Sequence, residues 1–235
     1  MTEPLITSVD MREFRGIRAC KESIKLSHFT VLIGRNNSGK TSVLEAIALL
    51  PPCDFNEVRF VPVGWTWERF MNAIHSGMSS LVYGYTGEGE IKYTIRDKEL
   101  RLSLSEAGPS WEATKSEVAE LLEIGEKELK TSILLLPNST GFLAQLANEL
   151  RKEWGWVKDL ISKVVHDCFT EATVRFDSIV LRKELPDGRV IYVKAADLGD
   201  GVERILLYGL WLETYRPKVI LWDDIEASAH PGLIE

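Results

Sequence analysis

The residues best suited to chemistry lie in the run Gly34-Arg35-Asn36-Asn37-Ser38-Gly39-Lys40-Thr41-Ser42. Its glycines, lysine and threonine stand at the spacing G-x-x-x-x-G-K-[ST]. Glycine reaches backbone angles that other residues resist, so successive N–H groups of such a loop can turn inward onto one anion. A helix starting where the loop ends adds unpaired N–H groups and the positive end of its dipole. In that frame Asn36, Asn37, Ser38, Gly39 and Ser42 belong to a phosphate cradle. Lys40 reaches the β- and γ-phosphates of ATP, and the Thr41 hydroxyl holds Mg²⁺.

Two later stretches carry compatible chemistry. Val219-Ile220-Leu221-Trp222-Asp223-Asp224 reads as an apolar strand that ends in two carboxylates. Ligands of parallel sheets gather at that end of a strand. Asp223 is placed to hold the Mg²⁺ ion, and Asp224 to orient or deprotonate an attacking water. On its own this pair reads as a solvated acidic turn; after a phosphate loop the metal role is favoured. The other stretch is Leu198-Gly199-Asp200-Gly201, followed by Arg204 and an apolar helix. Glycines at a helix entry point backbone N–H groups outward, as a second anion site would need; alone, the stretch reads equally as a helix entry after a turn. One phosphate loop rarely needs two such sites from its own chain, so this one is expected to face the nucleotide of a second copy.

The elements that must position these residues follow from periodicity. Residues 29–33 predict a strand feeding the loop. Val43, Leu44, Ala46, Ile47, Leu49 and Leu50 predict the helix after it, closed by Pro51-Pro52. Residues 6–20 predict two antiparallel strands with a turn at Arg15 and Gly16, and pairing resumes at 24–26. His28 reads as a surface residue. Residues 51–67 are irregular, and Trp65 and Trp67 read as packing rather than base stacking. Residues 81–86, 91–96 and 100–105 each alternate as antiparallel strands. Residues 116–168 read as a helical insertion, with a buried run at 133–136 and helical faces at 142–150 and 157–165. Strands are expected at 171–176, 178–184 and 190–194, with a turn at 185–189 between the last two.

Composition narrows the class. A chain of 235 residues with net charge −7 is not a sleeve that coats nucleic acid by overall charge. Cys20, Cys53 and Cys168 lack metal or redox spacing, which points to a reduced, cytoplasmic compartment. The start of the chain has no secretory pattern, and no apolar run approaches a membrane span.

The phosphate loop, the L-x-D-G-x-x-R stretch and the acidic strand, in that order, resemble the ABC-type ATPase heads of the RecF, SMC and OLD-like group of P-loop ATPases. Phe14-Arg15-Gly16-Ile17 resembles their N-terminal NFRGI element. Asp223-Asp224-Ile225-Glu226-Ala227-Ser228-Ala229-His230-Pro231 resembles their DEPEAHLHP segment. Residues 51–176 carry no specific match. The resemblance implies an α/β P-loop NTPase fold with a mostly parallel core sheet. An N-terminal antiparallel β-subdomain (including 81–105) and a helical insertion at 116–168 would accompany it, with a signature helix and Walker B segment at 198–235. It also implies that two heads sandwich two ATP molecules, each loop facing the other's Leu198, Gly199, Asp200, Gly201 and Arg204. Arg15 would lie near the nucleotide. A nuclease or DNA-associated partner would be the effector, in repair or defence.

Several departures temper that reading. The family's catalytic Glu is Asp224 here, a shorter arm that slows hydrolysis or yields the role to Glu226. Gly199 stands where the signature has Ser. Gln145 lies on a predicted helix, so no Gln-loop ligand is evident. The strand with the switch histidine, which follows the acidic strand in the family, has no counterpart before Glu235. A fragment, or a partner that supplies the strand, is the expectation. A nucleotide switch with little turnover and a small-molecule kinase remain the alternatives.

Overall fold

Alternation makes β1 (Ile6–Phe14) and β4 (Glu88–Ile95) one-sided strands. Val9, Met11 and Phe14 of β1 and Ile91, Tyr93 and Ile95 of β4 are buried on one face. The strict period of two breaks twice in β1. A register shift between Ile6 and Ser8 turns both Ser8 and Val9 inward, and Ser8 Oγ lies 2.8 Å from Thr94 Oγ1. Glu13 has a φ of +50°, a left-handed residue that puts Phe14, instead of Glu13, into the core.

The computed structural model describes residues 4–50, 68, 71–72, 75–136, 159, 161–162, 167–175 and 178–224. They belong to two units. One comprises Met1–Phe60, Gly64–Leu135 and Lys218–Leu221; the other comprises Val61–Val63, Leu136–Pro217 and Trp222–Glu235.

In the first unit, β1 pairs antiparallel with β2 (Ile17–Ala19), β3 (Ile24–Lys25) and β4. The hairpin continues through β5 (Lys98–Ser105) to β6 (Gly108–Trp111), giving the order β2-β1-β4-β5-β6. Leu100, Leu102 and Leu104 of β5 extend the apolar face. Helix α1 (Lys40–Ala48) buries Val43, Ala46 and Ile47, at the spacing of one helical face. The Tyr93 hydroxyl donates to the Ala46 carbonyl at 2.7 Å in the interior. Helix α2 (Lys115–Leu121) starts in a capping box: Thr114 accepts from the Glu117 N–H, and the Glu117 carboxylate accepts from the Thr114 N–H. A short helix, α3 (Leu129–Ser132), leads into β7 (Ile133–Leu136).

In the second unit β8 (Glu171–Arg175), β9 (Ser178–Glu184) and β10 (Val190–Lys194) form an antiparallel sheet in the order β10-β9-β8. A turn of 3-10 helix, Ala195–Leu198, leads into α4 (Asp200–Tyr215). Ala172, Ile179, Leu181, Ala195, Val202 and Leu206 are buried there. After α4 the chain returns to the first unit at Lys218–Leu221, where β11 (Val219–Trp222) pairs with β7. Lys218 N–H donates to Ser132 O and Asp223 N–H to Leu136 O. Both positions rise together along the chain, so this pair is parallel.

The structure corrects several expectations. The mostly parallel core is shown only in part: among the described residues the sheets are largely antiparallel, and β7 with β11 is the parallel pair. The strand at 29–33 is not formed, and Phe29, Val31 and Ile33 are exposed. Their backbone has no ladder partner among the described residues, and an isolated extended segment is not a stable strand. Residues 81–86 are not a strand either. The 3-10 turns Met78–Leu81 and Tyr83–Tyr85 take their place, because Gly84 and Tyr85 both adopt positive φ. Only an isolated bridge from Phe14 to Val82 remains. The strand β6 was not foreseen; it begins with Gly108 and Pro109, two residues that strands disfavour. Trp65, Trp67, Gln145, Glu226, His230 and the helical faces at 142–150 fall outside the described residues, as does most of 157–165.

Replacing Tyr93 by Phe removes the buried donor while Leu49 N–H still serves the Ala46 carbonyl. Tyr93→Phe is expected to lower stability by about 1 kcal/mol. Urea unfolding of both proteins checks this, and an unchanged midpoint would show that the bond is dispensable.

Candidate functional site

The loop from Gly34 to Gly39 is shaped by two glycines with separate steric reasons. At Gly34 an added Cβ would stand 2.5 Å from Ser38 Oγ. Gly39 has a φ of +90°, and its Cβ would also press on the Ile17 side chain at 3.3 Å. Between them Asn37 is left-handed, with a φ of +64°, a conformation Asn tolerates. Ser38 N–H donates to Arg35 O at 3.2 Å, closing the turn.

Helix α1 begins directly after Gly39, and no side chain caps its start. Such a start presents backbone N–H groups together with the positive dipole end. The Lys40 ammonium folds back over the loop, donating to Gly34 O at 2.9 Å and Arg35 O at 3.1 Å. Residues 33–38 and Thr41 are exposed, whereas Ser42 is buried at the first turn. Loop, lysine and helix start therefore fit an incoming phosphate.

Arg15 stands at the turn between β1 and β2 with a φ of +51°. Its guanidinium is engaged by Glu45 of α1 and by His75. Neither partner was singled out by sequence reasoning. The available signal was Glu45 itself, a carboxylate in phase with Ser42, Ala46 and Leu49 on the buried side of a helix.

The remaining site residues belong to the second unit. Leu198 ends the 3-10 turn, and Gly199 has a φ of +114°. Gly199 O accepts from Val202 N–H and Glu203 N–H, starting α4 at Asp200 and Gly201. Arg204 lies one turn further on and Tyr208 one turn beyond it. Burial pushes the Tyr208 phenol up, against the pull of the Arg204 charge. The Tyr208 ring meets Trp222 edge to face, with centroids 5.1 Å apart, which ties α4 to the end of β11. Asp223 and Asp224 follow that end. Asp224 is exposed, with a φ of +49°.

Among the described residues no three His, Cys, Asp or Glu side chains form a metal cage. Mg²⁺ bound by one hydroxyl, one carboxylate, phosphate oxygens and water requires none. Burial raises the Cys20 thiol, the opposite of what a nucleophile needs.

Residues 5–58 match the family model of an AAA ATPase domain. That stretch contains β1 to β3, the glycine loop and α1, and the match supports a P-loop ATPase of the AAA type. No curated protein matches the chain. Among the described residues no helix is long and apolar enough to cross a membrane.

Gly39→Ala forces a side chain into the left-handed region and against Ile17. A loss of about 1–2 kcal/mol is expected, read from the urea unfolding midpoint; a loss below a few tenths would mean the loop relaxes into another geometry.

Proposed function

We propose that this chain is an ATP-binding and ATP-hydrolysing head that closes on a second copy around nucleotide. The observation that carries the reading is the left-handed Gly39 opening into the uncapped start of α1, with Lys40 folded over the loop. Phosphate arriving in the loop offers Lys40 stronger acceptors than two backbone carbonyls, and the ammonium transfers to the β- and γ-phosphates. Backbone N–H groups at the uncapped start of α1 would face the same anion. Thr41 and Asp223 would hold Mg²⁺, which neutralises charge on the phosphates when bound. Asp224 takes the proton of the attacking water, and Glu226 is the alternative base.

Dimerisation rests on the Leu198, Gly199, Asp200, Gly201 and Arg204 stretch, whose glycine-led entry to α4 is a second phosphate-facing helix start. The RecF, SMC and OLD-like resemblance supports an effector acting on DNA, as a nuclease or an associated partner. Asp224, one methylene shorter than the usual Glu, favours slow turnover, so a nucleotide switch is the second reading.

Lys40→Ala is expected to weaken binding of a fluorescent ATP analogue by about 100-fold, the order of two lost charge-assisted hydrogen bonds. Retained affinity would remove the loop from the site. Asp224→Asn with ATP and Mg²⁺ is expected to elute as a dimer in gel filtration, and EDTA to return it to monomer. Persistent monomer at saturating ATP would defeat the head-dimer mechanism. Phosphate release by the wild-type chain separates an ATPase from a switch.

A further inference from the structure

A buried cluster of charge sits on α1, one turn past Thr41. The Glu45 side chain is 3% exposed, Arg15 16% and His75 14%. Arg15 Nη1 donates to Glu45 Oε2. His75 Nε2 lies 2.8 Å from Glu45 Oε1 and 2.6 Å from Arg15 Nη1. The other ring nitrogen, Nδ1, lies 2.9 Å from Arg15 Nη2, so the guanidinium fork faces both ring nitrogens. The backbones are tied as well: Arg15 N–H donates to Leu81 O at 2.9 Å, and His75 N–H to Met71 O at 2.8 Å.

Three separate parts of the first unit meet here: the β1–β2 turn, α1, and the segment before the first 3-10 turn. Burying a carboxylate is costly, and an apolar trio of similar volume would often be as stable or more so. Stability alone therefore does not account for the cluster. A planar guanidinium fork held between a carboxylate and an imidazole instead constrains direction, setting how α1 is rotated about its axis. The N-terminus of the same helix supplies Lys40, Thr41 and their N–H groups to the phosphate loop.

We infer that Arg15, Glu45 and His75 are positioning residues that fix α1 for phosphate binding. Arg15 acts through Glu45 and does not touch the nucleotide. This rests on the reading of the loop as an ATP site.

The test measures the affinity of a fluorescent ATP analogue with Mg²⁺, and the urea unfolding midpoint, on the full chain. The variants are Glu45→Gln, Arg15→Gln, the double Arg15→Gln/Glu45→Gln, and Leu104→Ala as a core control remote from the cluster in sequence. Each single cluster variant is expected to bind about tenfold more weakly, the order of a coupling between residues in contact. The double variant, which leaves neither Arg15 nor Glu45 as an unpaired charge, is expected to fold and to bind about as weakly as either single one. Leu104→Ala is expected to lose stability while keeping wild-type affinity. Wild-type affinity in the folded double variant would overturn the inference while leaving the ATP reading intact. A further tenfold loss when Arg15→Gln is added to Glu45→Gln would also overturn it, because Arg15 would then contact nucleotide independently. If the wild-type chain does not bind, the ATP reading fails first and takes this one with it.

Discussion

Helix α1 has to be buried along its length and open at its start. Its apolar face, Val43, Ala46 and Ile47, belongs to the core of the first unit, while the residues immediately before it face solvent. Apolar burial fixes a helix poorly against rotation, because it is non-directional. Directional bonds supply what burial does not: Tyr93 to the Ala46 carbonyl, and Glu45 to Arg15 and His75. The β-strands of this unit can be viewed as the frame from which those bonds are made. Tyr93 comes from β4, and Arg15 from the turn that follows β1.

The glycine loop was more legible in the sequence than the sheet of the same unit. A phosphate loop is specified by short-range steric demands at Gly34 and Gly39, and these appear in the structure as a close Ser38 side chain and a positive φ. The helix after the loop, the hairpin of β4 and β5, the three strands of the second unit and β11 were all visible as periodic apolar patterns. Each is a local property of ten or so residues.

Pairing partners are not local, and that is where expectation and structure part. Residues 29–33 have the composition of a buried strand, yet composition cannot say whether another strand lies alongside. Leu81-Val82-Tyr83-Gly84-Tyr85-Thr86 alternates as a strand should, but positive φ at Gly84 and Tyr85 breaks the extended path. In contrast, Ile133-Leu134-Leu135-Leu136 looked like part of a helical region and is a strand, because its partner β11 lies more than eighty residues away. Glu45 escaped notice for a related reason. A lone carboxylate in an apolar helix reads as a solvated position unless its partners, at residues 15 and 75, are known.

On the proposed roles, the distribution of the motifs over the two units separates binding from turnover. Gly34, Gly39, Lys40 and Thr41 belong to the first unit, as do Arg15, Glu45 and His75, so the grip on phosphate depends on the packing of that unit around α1. Asp223, Asp224 and the glycine-led start of α4 belong to the second. Their local frame is different: the parallel bond from Asp223 to Leu136 and the Tyr208–Trp222 contact. Substitutions that loosen the first frame should therefore appear as lost affinity, and those that loosen the second as lost turnover at retained affinity. A short Asp224 arm falls wholly in the latter class. On this division the proposed firm binding of ATP and slow hydrolysis are compatible, because the loop and the acidic end answer to different local frames.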